Sequence, residues 1–165
     1  MHCETTQDPD GNWKESWYAL EKAYAEGRVN SIGVSNFNRE LLAELNELSS
    51  VRPHLVQNHG EPGITDRTVR EWCFEHNVVY QPYASLRNLK DSSVLSALKK
   101  IASERAVTEQ FVAIKFFVQT GASVIPRTKN PTHLQANLDV FSNDFKLTPA
   151  EMASLGWNEI FDLNE

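Results

Sequence analysis

The sequence predicts an α/β fold built on a parallel sheet. Short uncharged apolar segments alternate with longer stretches of helical periodicity. Side chains suited to helix capping precede several of those stretches, and glycines follow some of them. The order runs helix, then strand–helix four times, with extra helices near the end. Such alternation implies βαβ crossovers and therefore parallel strands. At 165 residues the chain is shorter than a complete eightfold β/α barrel, which takes about 250 residues and seldom fewer than about 200. Periodicity alone leaves an open doubly wound sheet and part of a barrel as alternatives.

The elements follow in order. Residues 1–12 are polar and read as loop, and residues 13–165 as one domain. Trp13, Trp17, Leu20 and Tyr24 recur on one face at 3.6 residues per turn, and Gly27 stands where a helix C-terminal glycine belongs. Residues 31–35 (SIGVS) form a first strand, uncharged as a buried parallel strand should be. Asn38 caps a helix carrying Leu41, Leu42, Leu45 and Leu48. Residues 54–57 (HLVQ) are a second, weaker strand after Pro53. Asp66 is placed to cap a helix with Val69, Trp72, Cys73 and His76 along one side, and residues 78–83 (VVYQPY) are the third strand. A helix over 92–104 follows, then a helix over 109–119 capped by Thr108 and ended by Gly121. Residues 123–126 (SVIP) are the expected fourth strand. Asn130-Pro131 and Thr148-Pro149-Ala150-Glu151 are helix starts, the second a capping box.

Composition excludes several function classes. Sixteen basic against 22 acidic residues give a net charge of −6, so a general nucleic-acid surface is not expected, while a local pocket for one phosphate remains open. No apolar run spans a membrane. MHCETTQDPD has neither the basic start nor the apolar stretch of a signal peptide, and Cys3 and Cys73 make no disulfide framework, so the expected compartment is cytoplasmic. The histidines at 2, 54, 59, 76 and 133 lack zinc spacing, and no metal site is expected. The glycine fingerprints GxGxxG and GxxxxGK[ST] are absent, as is GxSxG.

In parallel α/β folds ligands lie beyond the C-terminal ends of the strands. The groups expected there are Ser35 with Asn36, Gln57, Tyr83, and Arg127 with Thr128. Amides and hydroxyls suit a carboxamide, a tyrosine face suits a flat ring, and arginine with threonine suits a phosphate. Polar residues also mark ordinary loops, so each position taken singly says little.

Four segments in sequence carry a family resemblance. EKAYAEGRVNSIGVSNFN resembles the aldo-keto reductase signature around "IGVSNF". HLVQ resembles the family's "xVNQ", VVYQPYASL its "ITVxAYSPL", and VIPRTKNPTHLQANLDVF its "IPKSxxxxxxxENxxxF". The family is an eightfold β/α barrel that reduces carbonyls with NADPH and without a metal. The resemblance implies that Ser35, Asn36 and Gln57 hold the nicotinamide carboxamide and that Tyr83 stacks on the nicotinamide. It implies Ser85 and Leu86 on the pyrophosphate side, and Arg127 and Thr128 at the adenosine 2′-phosphate. Asn130 and His133 fall in the same phosphate loop, and Asn137 matches the asparagine that contacts adenine. Arg127 stands where lysine is usual, His133 where many members carry arginine, and Arg87 where glycine commonly follows Leu86.

Met1-His2-Cys3 resembles the family's "LMHxP" segment at the end of its fourth strand, which makes His2 the match for the catalytic histidine. The tetrad's aspartate, tyrosine and lysine precede that segment in the family, and nothing in these 165 residues matches them. The resemblance therefore implies strands five to eight with their helices, the C-terminal half of a (β/α)8 barrel. The parent reaction is reduction of a small-molecule carbonyl by NADP(H), with little or no turnover expected of this chain alone. A half barrel leaves open sheet edges, from which self-association is expected. Three readings stay open: part of an active reductase, a catalytically silent NADP(H)-binding protein, and a half-barrel interaction module.

Overall fold

The computed structural model describes residues 13–86, 92–142 and 145–157. His2, Cys3 and the loop expected over 1–12 lie outside the described residues. The chain divides into two compact units, Met1–Asn58 with Asp66–Gln81, and His59–Thr65 with Pro82–Glu165.

The first unit contains α1 (Trp13–Ala25), β1 (Gly33–Ser35), α2 (Arg39–Leu48), most of β2 (Leu55–His59), α3 (Arg67–Glu75) and the start of β3 (Val79–Tyr83). The sheet order is β1-β2-β3, with β1 and β2 parallel in the register Gly33↔Leu55, Val34↔Val56, Ser35↔Gln57. Gly33 is there for space: a Cβ on it would lie 2.4 Å from the Leu55 carbonyl oxygen. Along α1 it is Trp17 that is fully buried, while Trp13 meets the Phe37 ring edge-on at 5.3 Å. The Asn38 side chain accepts from the Leu41 N–H at 2.9 Å, so α2 starts where its cap dictates, and Leu42 and Leu45 are buried beneath it. Val69, Trp72 and Cys73 form the buried side of α3, with His76 stacked on Trp72 at 4.2 Å.

Asp66 departs from expectation. It precedes α3 in a left-handed conformation (φ 44°) and makes no side-chain cap bond. Its carboxylate is taken instead by Asn58 of β2, which donates to it at 2.7 Å. A buried amide has no water to turn to, and so takes the carboxylate from the helix N–H groups.

The second unit is helical: α4 (Ser92–Arg105), α5 (Glu109–Gln119), α6 (Pro131–Ser142) and α7 (Pro149–Ser154). Helix α5 is buried on most of its circumference through Phe111, Val112, Ala113, Ile114, Phe116 and Phe117. One side packs with Leu98, Ile101, Leu147 and Leu155, the other with Val140 of α6. The Thr108 hydroxyl caps α5, and Thr148 with Glu151 closes the capping box of α7. The Gln119 amide holds both backbone groups of Leu147, donating to its carbonyl and accepting from its N–H, each at 2.8 Å.

Residues 123–126, expected as the fourth strand, belong to no strand among the described residues. A strand exists only through its ladder, and Pro126 has no N–H to contribute to one. Ile125 is 44% exposed, as the open side of an unladdered segment would be.

Candidate functional site

In the first unit the parallel register sets Ser35 opposite Gln57. The chain then leaves β1 through Asn36, whose φ of 60° is one that asparagine tolerates better than most residues. The Asn36 N–H donates to the Gln57 carbonyl at 3.1 Å, and the buried Ser35 hydroxyl donates to the same oxygen at 2.7 Å. The Gln57 side chain, half-buried, donates its Nε2 to Gln81 Oε1 at 2.7 Å. Three of the expected site residues thus meet at one carbonyl. Gln57 is not at a strand end, however: β2 runs on to His59. The next residue, Gly60, still donates its N–H to the Tyr83 carbonyl at 3.1 Å, so backbone pairing outlasts the apolar run that marked the strand.

Asn58, next along β2, is tied to the same turn after β1 and was not singled out by the sequence. It is 7% exposed, and its Nδ2 donates both to the Phe37 carbonyl at 2.8 Å and to Asp66 Oδ2 at 2.7 Å. Its signal was the alternation of the strand, which puts position 58 on the same buried side as Val56. A buried amide there had to have partners. Burial raises the Asp66 carboxyl above its ordinary value, against the opposing pull of the Asn58 hydrogen bond and the nearby Arg70. Arg70 is itself lowered to about 10, first by burial; its guanidinium lies 6.0 Å from the Tyr80 ring.

In the second unit Tyr83 ends β3, and His59 meets its ring edge-on at 5.6 Å. The Ser85 hydroxyl is buried and donates to the Pro82 carbonyl at 3.1 Å, so it acts within its own turn. Leu86 packs against both apolar clusters of the unit.

The segment before α6 is a cap. The Thr128 hydroxyl accepts from the Asn130 N–H at 3.0 Å, and Asn130 Oδ1 accepts from the Thr132 N–H at 2.9 Å. Pro131 follows at the first helical position, where its missing N–H costs nothing. Arg127, Lys129 and His133 are exposed around this helix start, and Asn137 is half-buried further along α6. Val140 anchors the helix, and Lys115 Nζ donates to its carbonyl at 3.1 Å. Cationic side chains beside the positive end of a helix suit a phosphate. Among the described residues, no three His, Cys, Asp or Glu side chains group as metal ligands would. No described helix is long and apolar enough to cross a membrane.

The first unit, with β1 and β2 parallel and α2 between them in the chain, has the layout of an α/β protein. The family model described as "Aldo/keto reductase family" matches residues 1–156, and the chain belongs to that family. Among its relatives is a 9,11-endoperoxide prostaglandin H2 reductase of Trypanosoma cruzi, 35% identical over 153 residues, which are 92% of this chain and 52% of the relative. An aldo-keto reductase of Mycobacterium leprae is 33% identical over 156 residues, 93% of this chain and 53% of its own. The crystal structure of an aldo/keto reductase from Brucella melitensis superposes with a TM-score of 0.77 at 31% identity, covering 87% of this chain and 54% of that one. A mutant of Gox0644 solved in complex with NADPH gives a TM-score of 0.76 at 35% identity, over 86% of this chain and 51% of that one. The chain spans about half the length of the curated relatives it matches.

Proposed function

We propose that this chain is the cofactor-holding half of an aldo/keto reductase barrel, strands five to eight, and that it binds NADP(H). The observation that carries the reading is the convergence of Ser35 and Asn36 on the Gln57 carbonyl. That convergence fixes Asn36 and Gln57, whose side-chain amides are of the type that recognises a carboxamide, by a ladder rather than by a free loop. The residues present fit the cofactor. Ser35, Asn36 and Gln57 would hold the nicotinamide carboxamide, and Tyr83 would lie against the ring. Arg127, Thr128, Asn130 and His133 would hold the 2′-phosphate at the start of α6, with Asn137 toward adenine. Ser85 and Leu86 would shape the pyrophosphate side, Leu86 through packing. The NADPH complex of a relative supports testing that cofactor first.

When bound, NADPH supplies a hydride for a carbonyl carbon. The whole protein's part would be to orient the ring and to protonate the carbonyl oxygen, and of these this chain would supply the orientation. A positioned acid contributes about 10²–10⁴-fold. Nothing in these 165 residues matches the tetrad's aspartate, tyrosine and lysine, and His2 alone matches its histidine, so cofactor binding with little turnover is the expected behaviour. The substrate of the whole protein would be a small-molecule carbonyl, and its compartment the cytoplasm.

A second reading, a half-barrel interaction module, is favoured by one observation. Leu134, Leu138 and Phe141 form an exposed i, i+4, i+7 stripe along α6, each more than half exposed. On that reading the chain self-associates through this face or through its sheet edges.

Titration of the purified chain with NADPH by calorimetry, with its mass in solution measured alongside, tests both. Micromolar binding that weakens in Gln57→Ala and in Arg127→Glu is expected. A folded chain that binds neither NADPH nor NADH refutes the cofactor reading, and a stable dimer without cofactor affinity establishes the second.

A further inference from the structure

We propose that Asn58 is a positioning residue for the carboxamide site, a clamp that holds the turn after β1 in its binding conformation. The inference rests on the NADP(H) reading for its functional consequence, but not for its geometry. Residues 35, 36 and 37 are pinned in succession to two residues of β2. Ser35 Oγ and the Asn36 N–H both donate to the Gln57 carbonyl, and the Phe37 carbonyl accepts from Asn58 Nδ2 at 2.8 Å. Asn36 has a positive φ, which costs free energy and persists only where surrounding contacts over-determine it. The third of these bonds lies immediately beyond the strained residue. Without it the backbone beyond Asn36 loses its bond to β2, and the Phe37 ring against Trp13 and the Asn38 cap of α2 are left to hold it.

The clamp is itself held. The same Asn58 nitrogen donates to Asp66 Oδ2 at 2.7 Å, using the second hydrogen of the amide. Asp66 is in the left-handed region (φ 44°) just ahead of α3 and leaves that helix start without a side-chain cap. The arrangement forgoes a local cap and orients Asn58 instead. Asp66 thereby fixes which way the amide faces, and the amide fixes the carbonyl of Phe37. The relay runs Asp66 to Asn58 to Phe37 to the Asn36 turn, within one compact unit. Asn58 and Asp66 touch no cofactor in this scheme; they act through the turn.

The test uses the full 165-residue chain and two readouts. Amide hydrogen exchange at Asn36 reports the clamp without any cofactor. NADPH affinity, set against the affinity of adenosine 2′,5′-diphosphate, reports its function. The second probe has the adenosine and its 2′-phosphate but no nicotinamide. In Asn58→Ala the Asn36 amide is expected to exchange about tenfold faster, while amides in the α5 core keep their protection. NADPH should bind about three- to tenfold more weakly, and the adenosine probe should bind unchanged. Asn58→Asp keeps the side-chain volume but replaces the donor with an acceptor facing Asp66. It should move both readouts the same way, and it serves if the alanine variant does not fold. Unchanged Asn36 exchange in either folded variant overturns the clamp. Equal loss of both ligands overturns its positioning role and indicates general destabilisation. If the wild-type chain binds no NADPH, the functional reading fails while the exchange data still decide the clamp.

Discussion

Gly33→Ala should separate β1 from β2 and loosen the candidate site with them. The added Cβ would stand 2.4 Å from the Leu55 carbonyl oxygen, 3.2 Å from its carbon and 3.3 Å from Leu55 Cβ. Ordinary contact begins near 3.4 Å, so the strands must part locally by about 1 Å. The obstacle is backbone, and no rotamer change relieves it. Overpacking of this kind costs about 1–3 kcal/mol. A shift of that size also carries the 3.1 Å bond between the Asn36 N–H and the Gln57 carbonyl toward or past its limit, at about 0.5–1.5 kcal/mol more. The combined cost of about 1.5–4.5 kcal/mol should lower Tm by about 3–18 °C for a chain of this size. Gly27→Ala supplies the contrast. Its Cβ would meet nothing within 4 Å, but φ is +68°, so only the left-handed penalty of about 1–2 kcal/mol applies. Thermal unfolding of the two variants side by side is the assay. If Gly33→Ala costs no more than Gly27→Ala, the close approach of the two strands is refuted as the reason for this glycine.

Leu98→Ala should cost about 2–5 kcal/mol in urea unfolding, since Leu98 is fully buried between α4 and α5 and the backbone around it has little room to collapse. Cys73 should resist thiol reagents in the native state, because burial first, and the Asp66 charge second, push its thiol up to about 12; in a Cys3→Ser background, labelling should keep pace with unfolding and no faster. Glu151 should contribute to acid lability. Burial pushes its carboxyl up, but hydrogen bonds from Thr148 and Arg105 outweigh that and leave it below its ordinary 4.5. A depressed carboxyl stabilises the fold above the unfolded value and loses that contribution as pH falls through the folded one. Glu151→Gln should therefore flatten the stability profile below about pH 4.5, as followed by denaturation at stepped pH.

The local grammar of the chain was legible, and its long-range bonds were not. Asn38, Thr108 and Thr148 cap the helices expected of them, because a cap needs only a side-chain oxygen and an N–H three residues on. Asp66 carries the same chemistry at the same kind of position, yet serves Asn58 instead. Nothing in the neighbouring residues distinguishes the two cases; the competitor comes from a strand eight residues back. Residues 123–126 show the same limit from the other side, since an apolar run sets a preference for extension but not a ladder partner. Gln57, expected at a strand end, lies two residues inside β2, because the ladder outlasts the apolar run and only pairing reveals it. Asn58 lies just outside the strand expected over 54–57. Once β2 extends to His59, the burial alternation places it with Val56, and a polar group there demands partners.

The two residue groups proposed to meet the cofactor, one in each compact unit, are built on opposite principles. In the first unit, the reading depends on backbone: Ser35, Asn36 and Phe37 are tied to β2 by three bonds, and the strained φ of Asn36 is held before any ligand arrives. Preorganisation of this kind removes an ordering cost from binding, and it makes the site vulnerable to changes that move strands, such as a methyl group on Gly33. In the second unit, the hydrogen bonds of Thr128 and Asn130 shape the helix start, while the charges of Arg127 and Lys129 and the ring of His133 stand exposed around it. Exposed charges are interchangeable to a degree that a ladder is not, because their contribution depends on sign and approximate place and is screened by salt. Arginine in place of the family's usual lysine, and histidine where many members carry arginine, are departures this group can absorb. The group in the first unit, where one carbonyl gathers two donors and one amide serves two acceptors, has no comparable freedom. Sequence change that preserves cofactor binding should therefore gather around α6, and change that abolishes it around Gln57 and Asn58.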